Sequence, residues 1–437
     1  MRLDRRIMKT ARFAAVLGLV VGFTACDDLL QVADPSRYTS EGLDDPLALP
    51  AVANGIEGNL QLSMSGIATE AGLLSDELMH TGTWTGYEDS DKGRYRPGVG
   101  TSVAQGTMNN VMTAAVRAEE RFKRVLGDAD AMKSKLMAQI TAAAGWAPLL
   151  MGMINCESVV EPNGPAVSDT AAMRFAIPLL TRAIDVATGA NQPVYANFAK
   201  AGRARAYLLT GDYDRALADA QAIPNGFTYN ARFSNASSAN SLVTLNHYTE
   251  NKAAGLDSRR WAPQTTRGWA DTTRAGGDVF IDVWSGQADP RVPIVHRVGN
   301  RLGVDGRTKF YSHNKYKTRD DDIPMTHWKE MRLIEAEVYW RKGDFPNAIA
   351  KMNVVRADVG LPALTNPGTS AGVFDRLLEE RFATLFLEGH RASDLYRFNL
   401  FPSVIGTGYN TKFPMNTSEA LNNPNAGGRV RQCPKLS

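Results

Sequence analysis

Two stretches of this chain follow one layout: "AKAGRARAYLLTGDYDRALADAQAI" (199–223) and "EMRLIEAEVYWRKGDFPNAIAKMNVV" (330–355). Each has an apolar-periodic helix, a Gly-Asp turn, an aromatic, and an alanine three residues beyond that aromatic. Gly211 and Gly343 suit the left-handed conformation that ends a helix. Asp212 and Asp344 are placed to cap the next helix, and Tyr213 and Phe345 to wedge between the two. Ala216 and Ala348 are small enough for close helix approach. This is the helix-turn-helix logic of a tetratricopeptide repeat, whose unit is about 34 residues. It predicts a mainly α fold: a tetratricopeptide-like helical-repeat scaffold covering about 128–223 and 323–400, interrupted by a long insertion. Helical patterning also fills "LALPAVANGIEGNLQLSM", "MNNVMTAAVRAEERFKRVL" and the stretches around Trp146 and Met173. Pro148 and Pro178 predict a kink or a helix end near each. Asp169, after Ser168, is expected to cap the helix that follows.

The insertion, roughly 224–322, has another character. It is rich in Gly, Asn, Thr and aromatics, and stretches such as "PIVHRV" and "TKFYSH" alternate as short hairpin strands do. The expectation is an irregular, loop-rich excursion with a few short strands. Long ordered excursions from a helical scaffold tend to be binding surfaces.

The N-terminus is a separate problem. Arg2, Arg5, Arg6, Lys9 and Arg12 precede the apolar run "FAAVLGLVVGF", which is too short for the roughly 20 residues of a spanning helix and suits a secretory signal peptide. "FTAC" then resembles a bacterial lipobox, which makes residues 1–25 a lipoprotein signal peptide and Cys26 the lipidated residue. The other reading is ordinary cleavage near Ala25 with Cys26 left as a thiol. Residues 26–45 read as a polar tether and 46–437 as one domain. The formal charge of +3 comes from the leader, so no basic surface speaks for nucleic acid. Cys156 and Cys433 remain. In an oxidising compartment such a pair is either a disulfide or two unpaired thiols.

"EERFATLFLEGHRASDLYRF" (379–398) packs charge beside apolar residues as an active site would. Glu388, Arg391, Asp394 and Arg397 follow at three-residue steps, and on a helix the last three share a face with alternating sign. A structural ion network between neighbouring helices is the better reading, because a guanidinium fork satisfies several carboxylate acceptors at once. Catalytic signals are missing. The six histidines have no zinc-binding spacing, and there is no phosphate-binding loop. No metal and no cofactor are expected, and no enzyme activity. His390 with Asp394 lacks a third ligand. "DSDKG" (89–93) lacks the downstream Glu of a calcium loop and reads as a solvated turn. For ligand binding, the candidates are aromatics with polar neighbours: Trp84, Tyr87 and Tyr95 in the first loop, and Trp261, Trp269 and Trp284 in the insertion. Trp146, Trp328 and Trp340 lie on helical patterns and are expected in the core.

These residues together resemble the SusD/RagB family of outer-membrane nutrient-binding lipoproteins. "CDDLLQVADP" is similar to that family's start and "LLSDELM" (73–79) to its Ser-Asp-Glu segment. "RLIEAEVYWRKGDFPNAIAKMNVVRADVGLPAL" is similar to its third repeat. Residues 379–398 resemble its most recognisable helix pair, through Glu380, Arg381, Glu388, Gly389, Arg391, Asp394 and Arg397. "FPMNTSEALNNPN" resembles its closing segment. Thr384, Ala392, Ser393 and Asp358 depart from the pattern. The resemblance implies a lipid anchor on the outer membrane, facing the exterior. It also implies a SusC-like TonB-dependent transporter as partner and an oligosaccharide or other oligomeric nutrient as ligand, captured and handed over. A tetratricopeptide-type adaptor lipoprotein that binds protein or peptide is the alternative.

Overall fold

The computed structural model describes residues 42–95, 103–247, 252–256, 279–295, 302–308 and 310–428, with Val430, Cys433 and Lys435. Cys26, Trp261 and Trp269 lie outside the described residues, as do the leader and most of the tether. The leading segment, residues 1–48, is described from Gly42, where a 3-10 turn spans Gly42–Asp44.

From Leu49 onward the chain is mainly helical. α1 (Leu49–Leu74) leads to the short strand β1 (Leu78–His80), α2 (Thr85–Asp91), α3 (Val103–Leu126), α4 (Asp128–Met132) and α5 (Lys135–Ile154). After the small hairpin β2 (Glu157–Val159) and β3 (Ala166–Ser168) come α6 (Asp169–Gly189), α7 (Pro193–Thr210) and α8 (Tyr213–Gln221). A helix that is apolar on every side has to be enclosed on every side. α5 is such a helix, with 17 of its residues buried from Met137 to Ile154. Close approach matters there: a Cβ on Gly202 of α7 would sit 2.8 Å from the Trp146 indole, which stacks on Phe198 at 4.7 Å.

Pro148 and Pro178 lie inside α5 and α6 and end neither helix. Each ring removes a backbone hydrogen bond, at about 3 kcal/mol, yet both helices run on past the proline, to Ile154 and to Gly189. Ser168, not Asp169, caps α6, its hydroxyl accepting from the Ala171 amide at 3.2 Å. Asp169 is the first helical residue and accepts instead from Lys412 at 2.7 Å.

The insertion leaves through β4 (Thr228–Ala231). It contains α9 (Ser241–Asn246), β5 (Ala254–Leu256), β6 (Val279–Ile281), β7 (Ala288–Val295) and β8 (Ser312–His313), and it returns through β9 (Ile323–His327). β4 and β9 pair antiparallel, with Thr228 opposite His327, so the excursion is closed at its neck. The two alternating stretches meet, since Ile294 pairs with His313 in the β6-β7-β8 sheet. β1 pairs with β5.

Helices α10 (Trp328–Arg341), α11 (Phe345–Asp358), α12 (Ser370–Thr384), α13 (Arg391–Arg397), α14 (Phe401–Val404) and α15 (Thr417–Asn422) complete the chain. The repeat turns are built alike. Gly211 (φ 87°) and Gly343 (φ 76°) are left-handed, where a side chain would be strained. Asp212 and Asp344 cap α8 and α11, and Ala216 and Ala348 are fully buried. The closed neck lets the two distant repeats stack. Ala201, Ala204, Leu208, Ala216 and Ala220 pack directly against Met331, Ile334 and Val338. An array broken in sequence is therefore continuous in space.

Candidate functional site

Residues 379–398 form the end of α12, a reverse turn and α13. In the turn Leu387 takes φ 55° and Gly389 φ 81°. A left-handed leucine is disfavoured by about 1–2 kcal/mol, and the Leu387 amide is held by a buried carboxylate, Glu77 Oε1, at 2.8 Å. The charges around this turn pair in three directions. Asp394 accepts from Arg381 (2.8 and 2.9 Å) and from Arg397 (2.9 Å). Arg397 continues to Glu337 (Nη2–Oε2 2.7 Å), which also receives Arg341 at 3.0 Å. Arg391 turns away from this line, forks onto Asp76 at 2.7 and 2.8 Å, and lies 5.0 Å over the Phe382 ring. Glu388 takes Lys315 at 2.6 Å and lies 3.0 Å from His327 Nε2. Of the four residues expected to form one ladder, only Asp394 and Arg397 touch; the other two tie in distant segments.

The electrostatics are those of satisfied wiring. Burial pushes Asp394 up, but Arg381 and Arg397 outweigh it and hold the carboxyl well below the usual range. Burial likewise opposes ionisation of Glu388, and Lys315 with His327 bring it down to about 2. His390 is pushed down to about 3 by burial and by nearby Arg205, so it is neutral at physiological pH. No group of three or more potential metal ligands occurs among the described residues.

Glu77 is the exception. Burial raises it to about 8, helped by the charge of Asp76 and opposed by Arg391 and Lys315. Its folded pKa lies above the ordinary glutamate value of 4.5, so the native state binds the extra proton between the two values and stability falls as pH rises through that window. Each unit of separation corresponds to about 1.4 kcal/mol. Glu77→Gln is expected to match the parent near pH 4.5 and to exceed it in denaturant midpoint under alkaline conditions. Parallel pH profiles for the two proteins would refute this.

A second set of buried charges, which the sequence reading missed, fastens the insertion to the scaffold. Arg356 donates to Asp282 at 3.1 and 2.8 Å and to Glu380 at 2.5 Å. Arg291 donates to Glu380 (2.5 Å), Thr384 (3.0 Å) and Asp289 (2.6 Å). The β6-β7 hairpin is thus clamped to α11 and α12. Its turn carries Trp284, 38% exposed, with the Arg376 guanidinium 4.2 Å over the ring. Nothing in "IDVWSGQADPRVPIV" marks these charges, because their partners lie in distant segments.

Of the aromatic candidates, Trp84 is 49% exposed, just before α2, with the Tyr87 ring 5.7 Å away. Trp84 pairs with Tyr87, not with Trp284 or Tyr95. The same edge is joined by long-range hydrogen bonds: the Asp305 amide to Thr81 O at 3.0 Å and the Thr81 hydroxyl to Lys252 O at 2.8 Å. It exposes Leu302 and Val304, and Glu88, Lys92 and Arg94 lie beside it as an ion cluster. Tyr95 is instead tied to Thr417 at 2.8 Å. "DSDKG" is not a loop, since Asp89–Asp91 belong to α2. Trp146 is fully buried and Trp328 packs against the repeat core. Trp340 is not enclosed: its indole N–H donates to Ser370 O at 3.0 Å in an open cleft, because it sits in the last turn of its helix, beside the repeat turn.

Residues 303–431 match the model of the SusD family. Among solved structures, the fold is similar to that of a putative sugar binding protein from Bacteroides vulgatus ATCC 8482 (14% identity, TM-score 0.64, covering 90% of this chain and 98% of that one). A SusD superfamily protein from Bacteroides thetaiotaomicron VPI-5482 aligns at 15% identity, TM-score 0.60, over 92% of this chain and 98% of that one. A laminarin binding SusD-like protein aligns at 15% identity, TM-score 0.59, over 89% and 99%. No curated protein sequence matches the chain.

Proposed function

We propose that the chain is a member of the SusD/RagB family, that it captures an oligosaccharide at the edge carrying Trp84 and Tyr87, and that it passes it to a transporter. The observation that carries this reading is the exposed indole of Trp84 beside polar groups and a second ring. A sugar presents C–H faces to such a ring while Glu88, Lys92 and Arg94 meet its hydroxyls. Residues 1–25 are the leader, Cys26 carries the lipid, and 26–45 let the domain 46–437 stand off an outer membrane on its exterior side. A SusC-like TonB-dependent transporter receives the ligand. The protein performs no chemistry on it. The laminarin binding relative supports a glycan over a peptide.

The test is calorimetric titration with a panel of oligosaccharides, β-glucans included. Trp84→Ala is expected to weaken binding at least tenfold, about 1.4 kcal/mol, with an unchanged melting temperature. Absence of binding to every glycan, or equal affinity in the variant, would overturn the reading.

A further inference from the structure

Between the two repeat turns lies an open cleft of about 950 Å³, lined by α6, the α7–α8 turn, the end of α10 and Ser370. Its charges are unequal: Arg174, Arg215, Arg341 and Lys342 face only Asp212 and Asp214. Three of these cations already have a carboxylate partner, Lys342 with Asp214 at 2.5 Å, Arg215 with Asp212 at 3.4 Å and Arg341 with Glu337 at 2.9 Å. Arg174 is exposed and makes no ion pair among the described residues. Arg341 is the end of the buried line Arg381–Asp394–Arg397–Glu337–Arg341. That line holds three guanidiniums against two carboxylates, and its surplus positive charge surfaces at Arg341.

The rings in the cleft are already in use. Arg341 lies 4.8 Å over Tyr213 and 5.2 Å over Trp340, while Trp340 stacks on Phe374 at 4.7 Å. Rings covered in this way hold the guanidinium in place and leave little free face for a sugar. A flat fork fixed against aromatics is suited to carboxylates, which it binds through two parallel hydrogen bonds. The cleft is also far larger than one carboxylate needs, so the fitting ligand is a chain bearing several.

We propose that this cleft is a docking site for an acidic segment of a partner polypeptide, with Arg174 and Arg341 taking successive carboxylates. The site is separate from the glycan edge at Trp84 and does not depend on that assignment.

The test uses the full chain in detergent, titrated with fluorescein-labelled hexaglutamate and followed by anisotropy at low and high salt. Saturable binding that weakens with salt is expected. Arg174→Glu, on an exposed side chain that should leave the melting temperature unchanged, is expected to lose at least tenfold in affinity; Trp84→Ala should lose none. No binding, equal affinity in Arg174→Glu, or tighter binding of an oligogalacturonate than of the peptide would each overturn the proposal. Loss of glycan binding in Trp84→Ala with hexaglutamate binding intact keeps this result distinct from the fate of the glycan reading.

Discussion

Arg356→Ala is expected to destabilise the protein by about 3–5 kcal/mol, the range for removing one partner of a buried charge set. Arg356 is 1% exposed and joins Asp282, on the insertion hairpin, to Glu380, on α12. Truncation leaves two buried carboxylates facing the space of one guanidinium. Arg291 still reaches Glu380, which moderates the effect there, but Asp282 loses its cation. The loss should therefore be recovered in good part by adding Asp282→Asn, because removing an uncompensated charge is favourable even where the original pair contributed little net stability. An exposed pair is the control: Lys342→Ala, opposite an Asp214 side chain 82% exposed, should change stability by less than about 1 kcal/mol. Denaturant midpoints at matched m-values decide it. Equal small losses at both arginine and lysine would mean that the hairpin is held by packing alone.

Replacing both Cys156 and Cys433 by serine is expected to lower stability by about 2–5 kcal/mol. The structure joins these cysteines across a sequence separation of 277, and cross-linking residues so far apart removes much of the freedom of the unfolded chain. The C-terminal segment is also held without the bond. The Cys156 amide donates to Phe413 O at 2.9 Å, and Lys412 reaches Gly152 O at 2.8 Å and Asp169 at 2.7 Å. The folded variant should consequently keep this docking, and the loss should appear as a lower denaturant midpoint rather than as a rearranged terminus. Two titratable thiols from these positions in denatured, unreduced protein, or a shift below about 1 kcal/mol, would count against the staple.

Local chemistry made part of the fold readable. The turns at Gly211 and Gly343, the caps Asp212 and Asp344, and the buried Ala216 and Ala348 each depend on neighbours within a few residues. Pro148 and Pro178 do not end their helices, because the helical patterning on both sides of each ring carries the helix past it. The candidate site was less legible. Trp84 and Tyr87 were visible as aromatics in polar company, but Tyr95, chosen on the same grounds, is bonded to Thr417. Composition does not separate an exposed ring from an anchored one.

By itself the sequence determined a helical-repeat scaffold with an insertion and a C-terminal region of recognisable family character, because helix periods, caps and turns are short-range. Only the tertiary structure decided which charges meet. Arg391 passes over Asp394 for Asp76, and Arg356 binds the insertion as well as a helical neighbour. A guanidinium fixed by several hydrogen bonds takes whichever carboxylate the stacking of helices brings within reach, and that stacking depends on packing across the whole molecule.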